Sequence, residues 1–204
     1  MVRAGWATVS IFIGLILVAL LPIVTVYLDI VVLENGLPEV GVTEIVQAVL
    51  LLASVVLFAR KVRRNPKARG FLVLVTGFLL VMFIRELDHY LDMIVHGFWV
   101  YPALLVTGIA IAYAVKNSGT TQAPMTAFGY SQQGAIICIG LVIVLVFSRL
   151  FGTGSFWELI LQDQYVSLSK TIVQEGLELL GYGIILFGSA YRRQTPRNLT
   201  ALEF

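Results

Sequence analysis

Six apolar stretches, near 7–28, 43–58, 70–91, 98–115, 134–151 and 168–191, constrain this chain more than anything else in it. A hydrocarbon core of about 30 Å takes roughly 20 apolar residues of helix, within a range of about 17–25. Only the second stretch, 43–58, falls short, and the long stems of Arg60 and Lys61 would let it snorkel to the surface. The expected fold is all-α: a polytopic integral membrane bundle of six transmembrane helices, forming one domain over 1–204. Composition agrees. Hydrophobic residues make up 58% of the chain and charged residues 13%, against about 25% charge in a typical soluble domain. The same figures exclude disorder. A single cysteine, Cys138, cannot build a disulfide framework, and a net charge of +2 is too small for a nucleic-acid binder. The expected partners are the lipid bilayer and either further copies of the chain or a larger membrane complex.

The first stretch follows Arg3 and at first sight resembles a signal peptide. Its apolar run is long and no small-residue cleavage pattern comes after it, so it reads as a retained signal anchor. Lysines and arginines set the orientation. The segment 60–69 holds six, the tail adds Arg192, Arg193 and Arg197, and Arg3 and Lys116 fall on the same side if there are six spans. That places eleven of the fourteen basic residues on one face, which the positive-inside rule makes cytoplasmic. The expectation is an inner (cytoplasmic) membrane protein of a bacterium with both termini cytoplasmic. Of the twelve acidic residues only Glu203 falls on that side; the others lie in the loops 29–42, 92–97 and 152–167 or in the outer halves of helices.

Local patterns fill in the connections. Glu34-Asn35-Gly36-Leu37-Pro38 is a turn signal. The loop 116–133 is polar and nearly uncharged, and reads as a flexible connector. Ser155 and Glu158 have capping-box spacing, which predicts a short surface helix with Trp157 at headgroup level. Gly176, Gly181, Gly183 and Gly188, and in the fourth span Gly108, Ala110, Ala112 and Ala114, are small residues of the kind that let helices approach closely in lipid. Cys138, mid-span, reads as inert core. No internal repeat and no pair of broken helices of the transporter kind is present.

The ionisable residues inside the spans carry the functional argument. The third span contains Arg85, Glu86, Asp88, His89 and Asp92, followed by His96. At about 100° per residue, Glu86, His89, Asp92 and His96 share a stripe about 120° wide. The last span contains Lys170, Gln174, Glu175 and Glu178, with both glutamates about 10–16 Å below the outer surface and Tyr182 one turn deeper. The second span opens with Glu44 and Gln47. A carboxylate at mid-membrane costs about 2.5–3.5 kcal/mol by insertion scales. Two neighbouring glutamates do not readily both ionise without a positive partner. Arg85, Lys170 or a bound metal would supply one.

Glu86-x-x-His89 matches the ligand pair of carboxylate-bridged dimetal bundles, in which facing helices add glutamates. Glu175, Glu178 and Glu44 would supply these, with Asp92 as a further ligand. The match is incomplete, because such sites use two Glu-x-x-His pairs and this chain has one. Plain structural roles compete residue by residue. Arg85 and Glu86 would make a register-setting ion pair, His89 an interior hydrogen bond, Asp88, Asp92 and His96 a solvated helix end, and Glu44 a helix N-terminal acid favoured by the dipole.

Three functions are compatible with these residues. The first is a carboxylate/histidine site open to the exoplasm that binds a divalent metal or other cation, extending to a metal-dependent membrane enzyme. The second is a non-catalytic subunit or scaffold of a membrane complex. The third is a proton or cation pathway through Glu175 and Glu178, although nothing charged continues it toward the cytoplasm. The sequence contains no nucleophile elbow, P-loop, His-Glu-x-x-His helix or potassium-filter motif. No haem or nucleotide is expected.

Overall fold

The computed structural model describes residues 2–38, 40–164 and 166–191. Every regular element among them is helical. Helix α1 (Val2–Tyr27) runs on into a π-helical turn, Leu28–Val32. Then come α2 (Val42–Arg64), α3 (Arg69–Glu86), the short α4 (Asp88–Asp92), α5 (Val100–Lys116) and α6 (Gln122–Gly129). α7 (Gln132–Val142) continues through a second π turn, Ile143–Phe147, into α8 (Ser148–Phe151). α9 (Gly154–Leu161) and α10 (Ser167–Ala190) complete the order.

Among the described residues five helical segments are long and apolar enough to cross a membrane: Val9–Val32, Val42–Arg64, Pro66–Glu86, Gln132–Phe151 and Ser167–Ala190. α5 has 17 residues and joins them only when counted with Ser118–Gly129, from which it is bent by 96°. The second span is not short. α2 continues for 23 residues and carries Lys61, Arg63 and Arg64 in its last turn, where cations complement the helix dipole. The Lys61 ammonium lies over the Phe58 ring, 4.8 Å from its centroid. The tail residues Arg192, Arg193, Arg197 and Glu203 lie outside the described residues.

The chain divides into two compact units, 1–47 with 138–187 and 48–137 with 188–204. In the first unit α10 packs through its glycines. A Cβ on Gly140 would lie 2.8 Å from the Gly181 carbonyl oxygen, and one on Gly181 would lie 2.9 Å from that of Gly140. No side chain fits between these two backbones, the close approach expected of small residues in lipid. Gly183 faces Val18 of α1, and Gly14 of α1 faces Phe187. In the second unit α3 lies on α5, where a Cβ on Gly77 would meet that of Ala110 at 2.6 Å. Ala110 and Ala114 are buried, whereas Ala112 is exposed and the space beside Gly108 and Gly176 is open. The small residues therefore pack at some of the expected positions and not at others.

Three further expectations change. The 116–133 connector is helical over much of its length, and its threonine hydroxyls tie it to α5 and α3. Thr121 donates to the Ala114 carbonyl (2.9 Å), and the Gly70 amide donates to Thr120 Oγ1 (3.1 Å). The α9 helix is present without its capping box. It starts at Gly154 after Thr153, which makes no side-chain cap, so Ser155 lies inside the helix, and the Trp157 indole donates to the Phe151 carbonyl (2.6 Å). Cys138 is exposed, not core.

Candidate functional site

Two acids of the first unit, Asp29 and Glu178, are buried and answered. Asp29 stands in the π turn that ends α1 and is fully buried. Its Oδ1 accepts from the Val42 amide (2.8 Å) and from Asn35 Nδ2 (3.3 Å), and its Oδ2 from the Thr43 amide (2.8 Å) and hydroxyl (2.7 Å). A helix N-terminus leaves its first amides unpaired and carries partial positive charge. Asp29 answers both and ties the 29–42 loop onto α2. Gly41 gives this carboxylate room, since a Cβ there would sit 3.0 Å from Asp29 Oδ2 and press on it.

Further along the same unit, Glu178 of α10 is 3% exposed. Arg149 of α8 meets its Oε1 at 3.0 Å, and Gln174, one turn earlier on α10, donates to the same oxygen at 3.3 Å. Gly152 makes room for Gln174, whose Oε1 would lie 2.2 Å from a Cβ at that position. Glu175 is half-buried. The fully buried Gln47 donates its amide to both the Glu175 carbonyl (3.2 Å) and carboxylate (3.0 Å). That commits the orientation of the Gln47 amide, because flipping it would set oxygen against two oxygens. Its own Oε1 is buried and has no hydrogen-bond partner among the described residues. Tyr182, one turn below Glu178, is fully buried. The two glutamates thus share a helix face as expected but take different partners.

In the second unit the expected polar stripe is interrupted. α3 ends at Glu86, Leu87 leaves helical geometry at φ −95° and ψ 14°, and α4 restarts at Asp88. Glu86 and His89 therefore do not lie on one unbroken helix, and the 100° projection that aligned them with Asp92 and His96 does not hold through the break. Both are half-buried, and the His89 ring meets Tyr90 edge-on at 5.6 Å. Asp88 accepts from the His89 amide (2.7 Å). Asp92 is bound locally, to His96 Nδ1 at 3.3 Å and to the Gly97 amide at 3.0 Å, and the His96 side chain stands in solvent. Arg85 lies in the last turn of α3 and Lys170 in the first turn of α10; the cation that meets Glu178 is neither of them. Glu44 sits in the first turn of α2, where the dipole favours an acid.

Among the described residues no group of three or more histidine, cysteine, aspartate and glutamate side chains is placed to hold a metal ion. The residues that matter most in the first unit are Arg149, Gln47 and Asp29, none of them singled out as a site from the sequence. Arg149 left a signal. With eleven of fourteen basic residues assigned to one face, Arg85, Arg149 and Lys170 remain, and Arg149 is the one of the three that lies within an apolar stretch without an acid near it in the sequence. Comparison of the chain with family models, curated proteins and solved structures finds no match.

Proposed function

We propose that this multi-span membrane protein is a non-catalytic subunit or scaffold, and that its intramembrane acids join helices. The observation that carries this reading is the Arg149–Glu178 pair at 3.0 Å. A carboxylate neutralised by a guanidinium of its own chain, with a second donor from Gln174 on the same oxygen, is a poor ligand for a further cation. It is also what a helix needs in order to carry an acid in lipid. The proposal includes six crossings, with α5 as the fourth, and both termini on the cytoplasmic side. The 17 residues of α5 fall inside the spanning range of about 17–25, and the basic segment 60–69 supports that orientation. Elemental analysis of purified protein is the test. A scaffold carries no stoichiometric divalent metal, and Glu178→Gln leaves its metal content unchanged. Stoichiometric metal that disappears in Glu178→Gln contradicts the reading.

One observation favours a second reading, a cation site in the outer half of the bundle. Gln47 Oε1 is a buried acceptor without a donor among the described residues, and the Gln47 side chain lies against the carboxylate and carbonyl oxygens of Glu175. Buried acceptors of this kind are normally satisfied, and an oxygen-rich corner suits a hard cation. Glu175 with Gln47 would be its centre, and Glu44 of the same unit a further candidate ligand. Thermal stability of wild type and Gln47→Leu across sodium, magnesium and choline salts tests it: a cation-specific gain in wild type that Gln47→Leu abolishes supports the site, and identical profiles remove it.

A further inference from the structure

The second unit carries a strongly charged patch that the proposed function does not use. Between α2 and α3 the chain turns within a few residues, through Asn65 and the single 3-10 turn Pro66–Ala68. Two of its cations are engaged within the unit. The Lys61 ammonium covers Phe58, and Arg69 Nε donates to the Val62 carbonyl (3.4 Å). Arg60, Arg63, Arg64 and Lys67 are exposed, and among the described residues none of the four makes an ion pair. Orientation alone needs only an excess of positive charge on this side. It does not need four uncompensated cations at the joint of two spans.

A second observation comes from α6. The segment Ser118–Gly129 is bent by 96° from α5, so if α5 crosses the bilayer, α6 runs close to the membrane plane. α6 contains no charged residue, and Met125 is exposed, as is Tyr130 just past its end. Such a mixed apolar and polar surface suits the headgroup boundary. α6 adjoins the basic turn. The Gly70 amide, next to Arg69, donates to Thr120 Oγ1, and Phe128 of α6 meets Phe71 of α3 at 5.1 Å between ring centroids.

We propose that the basic turn 60–69 and α6 form a docking surface for anionic phospholipid headgroups. The cations bind the lipid phosphate, and α6 lies at the glycerol level beside it. Free guanidinium groups recognise phosphate oxygens bidentately, and a cluster of juxtamembrane cations attracts anionic lipid additively. The surface belongs to the second unit alone and does not depend on whether the acids of the first unit serve a scaffold or a cation.

The test reconstitutes the full chain in phosphatidylcholine vesicles containing a minor fraction of phosphatidylglycerol. Lipid retained through detergent extraction is then counted by native mass spectrometry. Wild type retains phosphatidylglycerol in excess over its share of the vesicle, and raised salt reduces the excess. Arg63→Gln/Arg64→Gln lowers the excess at least about fivefold, while Arg63→Lys/Arg64→Lys keeps most of it. Helicity measured on each variant confirms that folded protein is compared. Retention in proportion to vesicle composition, or an excess equal in wild type and the glutamine variant, overturns the proposal.

Discussion

Two carboxylates of the first unit and two of the second are held in opposite ways. In the first, Asp29 and Glu178 are almost wholly buried, and each has a partner well separated in the sequence, the Val42 and Thr43 amides for Asp29 and Arg149 for Glu178. In the second, Asp88 and Asp92 are half-exposed and bind neighbours one to five residues away. A buried acid must be matched by donors fixed in tertiary structure, because the alternative is an uncompensated charge in a medium of low dielectric. A half-exposed acid at a helix end has water as its alternative partner, so its contacts contribute little. The number of acids in a segment is thus a poor guide to their importance. The depth and origin of their partners is a better one.

Substitutions can break this contrast, and the largest effect is expected at Arg149. Arg149→Leu strands Glu178, and the loss should be roughly 2–4 kcal/mol, discounted from the range for a fully buried pair because the arginine side chain is 39% exposed. Reversible unfolding in detergent micelles reads it, and a loss below about 0.5 kcal/mol would erase the distinction between the units. Asp29→Ala comes next. Removing the carboxylate leaves two buried amides and a hydroxyl at the start of α2 unanswered, at about 2–3 kcal/mol, and hydrogen exchange in the first turn of α2 should rise with it. Gly140→Ala sharpens the account of the first unit. Its new methyl meets the Gly181 carbonyl at 2.8 Å, an overpacking expected to cost about 1–3 kcal/mol, whereas Gly176→Ala, with open space around it, should be tolerated. The smallest effect is expected in the second unit: His96→Ala and Asp92→Asn should leave the melting temperature unchanged, and a clear drop from either would show that the α4 acids hold the fold after all.

The spans were readable because an uninterrupted apolar run of that length has few other homes. Their ends were not. A run of basic residues looks like the end of a span, yet α2 continues through Arg64, since helical hydrogen bonding does not stop where the lipid does. The break at Leu87 and the π turns at Leu28–Val32 and Ile143–Phe147 left no mark in composition. A π turn bonds i to i+5 and shifts the angular register of the residues beyond it, so projecting Arg149 at a fixed angle per residue misplaces it. The cost of burying Glu175 and Glu178 was legible from chemistry alone, as was the need for a cation. Which cation was not, because Arg149 and Glu178 are 29 positions apart and only the fold brings them together. Asp29 escaped notice for a related reason. It sits where an apolar run gives way to a loop, which is the usual place for a solvated acid, and its role depends on backbone amides 13 and 14 residues later.

A double-mutant cycle on Arg149 and Glu178, measured as unfolding free energy in a bilayer-mimetic micelle, tests the central claim most directly. If the guanidinium is the counter-charge of the buried glutamate, Arg149→Leu and Glu178→Leu are each destabilising, the double variant recovers most of the loss, and the coupling exceeds about 1.5 kcal/mol. Additive losses within about 0.3–0.5 kcal/mol would mean that the two side chains act independently, and that Arg149 is not the counter-charge of Glu178.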